Sequence, residues 1–302
     1  MTKQLVFLFL AKETKDIVLK KIIKHILIFG CGIKLIGLIW FCNLPKVYAK
    51  FDEKRLYITN IAIPAGMAAL RAHFEGNSIK NAIIQAIFGG YIMNEGLKNA
   101  AKIEEKSSWY AWETKLMFNL GASICESAGL DKFTFRMDLG PVWLISEDDK
   151  IKFKLGVNGV VAPLFQLADG AKFDYKQSLR YGTMVFKRGT SRAGTLLGSN
   201  ALAYSSANVF VTNKEGNHSG HELIHTYQYR RNALYPIQIG DYWPEFTTKY
   251  FKEDKWVDDT GWFLNWGLQC CWADWRNKNK DFDIPLEQEA YYMEKYRRNW
   301  AK

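Results

Sequence analysis

"NHSGHELIHTYQYRR", residues 217–231, holds three of the chain's five histidines and decides how the C-terminal third is read. His221 and His225 stand four positions apart, and Glu222 follows the first of them directly. On a helix, positions i and i+4 project from one side about a turn apart, so both imidazoles can meet one zinc ion at about 2.0–2.1 Å. Glu222 is then placed to reach a water beside the ion rather than the ion itself. Zinc lowers the pKa of water and polarises a carbonyl, while a neighbouring carboxylate takes the proton. Chance is a poor explanation of the motif, since a shuffled chain of this composition would contain it in roughly 0.4% of cases.

The same residues admit a second reading. Ser219 and Glu222 match the Ser-x-x-Glu capping box, in which the glutamate folds back onto the backbone N–H of the serine at a helix start. A carboxylate so engaged cannot also serve a water. Asn217 offers a different cap two residues earlier and would leave Glu222 available.

"GHELIHTYQ", residues 220–228, resembles the active-site helix of gluzincin-like zincin metallopeptidases, and Gln228 makes it similar to an HExxHxxQ group of bacterial proteins. The likeness spans roughly residues 205–295 and leaves 50–200 without a counterpart. It implies a Zn²⁺ cofactor held by His221 and His225, Glu222 as catalytic base, and a peptide or protein substrate. It also implies that the strand just before the helix, "ANVFVTN", forms a sheet edge along which substrate adds itself as a strand. A catalytic zinc site needs a third protein ligand with one position left open. His218 is too close in sequence to supply it, and no HxxGxxH follows. Glu287 in "IPLEQEAYYMEKYRR" matches, with Ala290, the E-x-x-A form whose glutamate is the ligand in several membrane and envelope zincins. Tyr291 stands where those families often carry Asp. Glu245, twenty residues after His225 as in thermolysin-like enzymes, and Glu289 are the alternatives; Glu287 also reads simply as a helix-start carboxylate. Zincins commonly direct a Tyr or His at the oxyanion, and Tyr235, Tyr242, Tyr291 and Tyr292 are all eligible. Gln228, one turn beyond His225, reads either as a residue holding a ligand or substrate carbonyl or as a solvated one.

Outward from this motif, 302 residues with 48% hydrophobic and 15% aromatic content are enough for one large core or two modest ones. Of the net charge of +10, +6 falls in the first 49 residues. The remainder is spread without a Lys/Arg stripe, which argues against nucleic-acid binding. The N-terminal charge has its own explanation. Lys20, Lys21 and Lys24 precede "HILIFGCGIKLIGLIWFCNL", and Val47-Tyr48-Ala49 ends the segment with small residues at the −3 and −1 sites. These are the parts of a secretory signal cleaved after Ala49, or of an uncleaved anchor weakened by Lys34. With Cys31 and Cys42 inside that segment, Cys125, Cys270 and Cys271 remain, which is no disulfide framework and no zinc-knuckle spacing. Buried thiols are the expectation, with one bridge from Cys125 to Cys270 or Cys271 as the alternative.

The chain divides into four parts. Residues 1–49 form the signal peptide or anchor. Residues 50–107 read as a helical hairpin broken at Pro64 and at Gly76-Asn77, with Ala82, Ala86, Gly89 and Gly90 permitting close packing or contact with a membrane surface. Residues 108–212 alternate apolar and polar positions and predict an antiparallel β-meander of five or six strands, with turns at "EDDK", "ADGAK" and "KRGTSRAG". Residues 213–302 return to a helical period and carry Trp243, Trp256, Trp262, Trp266, Trp272 and Trp275, read as core residues rather than as a carbohydrate or membrane platform. The expected class is α+β, ending in a zincin-like helical segment. The expected function is an exported zinc-dependent hydrolase, a metallopeptidase of the bacterial cell envelope. Its rivals are a non-enzymatic, membrane-associated β-rich envelope protein with a structural metal site, and an outer-membrane barrel with a periplasmic metal domain.

Overall fold

Pro64 does not break the first helix. Helix α1 (Glu53–Tyr57) runs through a single wide π-turn (Ile58–Ala62) into α2 (Ile63–Glu75), and Pro64 falls in the first turn of α2. A proline is tolerated there because the widened turn shifts the hydrogen-bond ladder where its N–H is missing. The true break is Gly76, whose φ of 75° ends α2 in the left-handed conformation that glycine adopts without strain. Ser78 then accepts from the Asn81 N–H and starts α3 (Ile79–Ala100). The hairpin read from the sequence is therefore present, with its bend at the second of the two sites. The computed structural model describes residues 53–103, 106–168, 170–187, 203–206, 209–212, 219–240, 256–257 and 289–293. The signal or anchor segment 1–49 lies outside them, as do five of the six C-terminal tryptophans.

The region 108–212 departs from a continuous meander. Its first part is a twenty-residue helix, α4 (Ser108–Ser127), which buries Ala111, Lys115, Phe118, Ala122 and Cys125 at helical spacing. Strands β1 (Phe135–Asp138), β2 (Val142–Glu147) and β3 (Lys150–Gly156) follow as antiparallel neighbours. Asp148 and Asp149 make the two-residue turn between β2 and β3, with φ of 50° and 57°, as expected at "EDDK". Helix α5 (Val157–Ala168) then interrupts the strands, followed by β4 (Lys172–Phe173), α6 (Tyr175–Tyr181) and β5 (Met184–Lys187). Asp174 caps α6 by accepting from the Gln177 N–H at 3.2 Å, and Gly182 ends it at a φ of 63°. Local capping thus overrides the alternation read over "KFDYKQSLRYGTMVF".

Strands β6 (Ala203–Ser206) and β7 (Val209–Thr212) precede α7 (Ser219–Gly240), and β8 (Trp256–Val257) comes after it. The strands form two four-stranded sheets, ordered β1-β2-β3-β8 and β4-β5-β7-β6. The pairs β3/β8 and β5/β7 are parallel, so neither sheet is antiparallel throughout. Among the described residues, seven helices and two small sheets make the fold α+β.

Helix α7 runs between the helical layer and the second sheet, touching α2, α3 and α4 on one side and β6 and β7 on the other. Leu223, Ile224 and Tyr227 join Met93, Leu97, Phe118, Ala290 and Met293 in one core cluster. Tyr229 enters a second cluster with Trp143, Phe186, Val209 and Val211. Helices α3 and α4 cross in close contact: a Cβ added at Gly89 would lie 2.7 Å from the Gly121 carbonyl oxygen and 2.9 Å from the Cys125 nitrogen. Both are backbone atoms and cannot turn aside. Gly89→Val is expected to cost about 1–3 kcal/mol, read as a lower urea midpoint, and an unchanged midpoint would show that the helices separate freely. Cys125 is a buried thiol beside this crossing, donating to the Ala86 carbonyl at 3.4 Å, and burial pushes its pKa up to about 12. Ile84, Ile87, Phe88 and Tyr91 form an exposed stripe on α3. Among the described residues, no helix is long and apolar enough to cross a membrane.

Candidate metal centre

Both motif histidines lie in the first two turns of α7, as their spacing requires. His221 is buried and His225 half-buried, and their rings meet edge to face with centroids 4.8 Å apart. Their Nε2 atoms are 3.1 Å apart. Two nitrogens bound tetrahedrally to one zinc at the usual distance lie about 3.3 Å apart, so this pair is already close to the spacing that a shared ion imposes. Two neutral imidazole nitrogens are also the right donor type for zinc. Glu222 is 5% exposed, between the two histidines in the sequence. Helix α7 begins at Ser219 among the described residues, which puts Glu222 in its first turn.

The remaining predicted residues separate into two groups. Glu287 and Glu245 lie outside the described residues, as do His218 and Tyr242. Glu289, the other alternative ligand, is described and is engaged elsewhere. Its two oxygens accept from Arg231 Nη1 at 2.6 Å and Arg231 Nη2 at 2.7 Å, a bidentate pair with both side chains almost fully buried. Glu289 Oε2 also accepts from Gln228 Nε2 at 2.9 Å. A carboxylate already taking three charge-assisted or amide hydrogen bonds is a poor candidate for a metal as well. Among the described residues, no group of three or more His, Cys, Asp or Glu side chains gathers as a complete metal site.

Residues 289–293 form a helical turn that brings Tyr291 onto the site. Its ring lies 4.6 Å from the His221 ring at a tilt of 52°, and it is 41% exposed. Of the eligible tyrosines whose side chains are described, Tyr291 is the one in ring contact with a motif histidine. Gln228 is 1% exposed, which rules out the solvated reading. Its Oε1 stands 2.7 Å from His225 Nδ1, the nitrogen facing away from His221.

Three participants carry no motif. Arg231 reaches beyond Glu289 to donate from Nη1 to Asn60 Oδ1 at 2.6 Å, and Asn60 Nδ2 donates to Asn94 Oδ1 at 3.1 Å. Asn60 sits in the π-turn and Asn94 in α3, both wholly buried. The available signal was a polar residue at a core position of an apolar helix, together with an arginine in the middle of an aromatic one.

The edge strand is also placed differently from expectation. Strand β7, just before α7, lies inside its sheet between β5 and β6, and β6 ends the order of the described strands. The parallel β5/β7 pairing covers the side of β7 that the resemblance would leave open. No protein-family model, curated protein or solved structure matches the chain.

Proposed function

We propose that the protein is an exported zinc-dependent hydrolase, a peptidase of the bacterial cell envelope, with its centre at the start of α7. The observation that carries this reading is the 3.1 Å approach of the His221 and His225 Nε2 atoms, with Glu222, next to His221 in the sequence, buried as well. His221, His225 and Glu287 hold the ion, Glu287 being assigned from its E-x-x-A spacing. The bound zinc supplies Lewis acidity toward water and a substrate carbonyl. Glu222 accepts the proton from the attacking water and passes it to the leaving amine. Tyr291, in contact with His221 and partly open to solvent, is placed to donate its hydroxyl to the developing oxyanion. Substrate lies along β6, which ends the order of the described strands, packs on α7 and offers backbone N–H and C=O groups to an added strand.

The test is elemental analysis of protein purified without chelator. One zinc per chain is expected, lost in His221→Ala and His225→Ala and weakened in Glu287→Ala. Metal-free wild-type protein that takes up no added zinc would overturn the reading.

A further inference from the structure

Hydrogen-bond polarity in this network is set by one residue. Arg231 has donors only, so each group facing it must accept. On one side this turns Asn60 Oδ1 toward the guanidinium and leaves Asn60 Nδ2 to donate to Asn94. On the other it holds Glu289 as an ionised carboxylate, with both oxygens taken by the bidentate pair at 2.6 and 2.7 Å. An ionised carboxylate only accepts, so the amide of Gln228 must present its Nε2 to Glu289. That leaves Gln228 Oε1, an acceptor, against His225 Nδ1 at 2.7 Å. The orientation of Gln228 is therefore fixed by the charge of its neighbour.

We infer that Gln228 is a positioning residue which locks His225 in the Nδ1-protonated tautomer, and that the Arg231–Glu289 pair dictates this lock. With its proton on Nδ1, neutral His225 turns the Nε2 lone pair toward His221, where a metal ion would sit. The relay also assigns a task to the N-terminal hairpin. Asn60, in the wide π-turn, accepts from Arg231 and is itself held by donating to Asn94, in α3. Gly90 lets that turn approach, because any Cβ there would strike the Asn60 carbonyl. The inference rests on the metal-site reading for its purpose, but its geometry exists without metal, so the two can fail separately.

The experiment is long-range ¹⁵N–¹H correlation NMR on metal-free, full-length protein labelled at histidine, at a pH where the rings are neutral. His225 is assigned by the loss of its signals in His225→Ala. The expected result is a protonated Nδ1 and an unprotonated Nε2 on His225. In Gln228→Met, checked for an unchanged fold by circular dichroism and thermal melting, this tautomer should give way to a mixture. Apparent Zn²⁺ affinity, measured by competition with a chelator, should fall about 10- to 100-fold in the same variant. A protonated Nε2 in the wild type overturns the proposal. So does a folded Gln228→Met protein with the wild-type tautomer and wild-type zinc affinity. If the wild type binds no zinc, the hydrolase reading falls, and the tautomers of wild type and Gln228→Met alone decide the relay. Glu289→Gln, which replaces one acceptor oxygen with a donor, should scramble the tautomer in the same way if it folds; if it does not, the wild-type spectrum and Gln228→Met carry the decision.

Discussion

Glu222→Gln should retain one zinc per chain and its full stability while hydrolysis falls about 10²- to 10⁴-fold. The substitution exchanges one carboxylate oxygen for an amide nitrogen of the same size, so packing around this buried side chain is kept. What it removes is the ability to take a proton from water. The competing roles of Glu222 give different outcomes. A capping box is served by Gln as well as by Glu, so a glutamate used only as a cap would lose nothing in the variant. A structural metal site held by His221 and His225 would keep its zinc and show no hydrolysis in the wild type either. The discriminating measurement is cleavage of an unfolded protein substrate followed by mass spectrometry, run beside zinc analysis and a urea melt of the same preparations. Wild-type rates in a folded, zinc-loaded variant would remove Glu222 from the chemistry.

The parts of this centre that lie within one helix were legible in the sequence. His221, Glu222 and His225 stand on α7 because i, i+4 spacing is a local property, and the hairpin bend at Gly76 and Ser78 follows equally local capping rules. What escaped depends on contacts far apart in the chain. Glu289 read as a possible ligand because its partner Arg231 is 58 positions away, and Asn60 lies 171 positions from the guanidinium it holds. Nothing in local spacing encodes such pairs. The sheet edge was misplaced for the same reason, since the neighbour that encloses β7 is the parallel strand β5, separated from it by a crossover. Over α4 the error was one of period: Ala111, Lys115, Phe118, Ala122 and Cys125 face inward at intervals of three and four. The alternation of the strands that follow does not begin until β1.

The largest loss of stability is expected from Glu126→Ala, about 3–5 kcal/mol. Glu126 is buried in α4 and faces two guanidiniums. Arg230 Nη2 lies 2.9 Å from its Oε2, and Arg136 Nε pairs with its Oε1. Arg230 is 1% exposed; it also lies over the face of Trp143, 5.0 Å from the ring centre, and feels the more weakly acting carboxylate of Asp138. Burial pulls the Arg230 guanidinium below its ordinary pKa, and Glu126 is the main group pushing it back. Deleting the carboxylate leaves that charge in the core without its counter-ion, which costs more than the pair itself contributes. The effect should therefore depend on whether the arginine remains. Glu126→Leu combined with Arg230→Met removes both charges and should recover most of the loss, because a buried pair replaced by apolar groups of similar volume is close to neutral. Arg136→Met should cost less, since the Arg136 side chain is 21% exposed and water can take over part of its solvation. Urea unfolding of the four proteins reads all of this from the midpoints, provided the slopes agree. A loss below about 1 kcal/mol for Glu126→Ala would mean that Arg230 reaches solvent or another acceptor, and that α7 is not pinned to α4 by this charge.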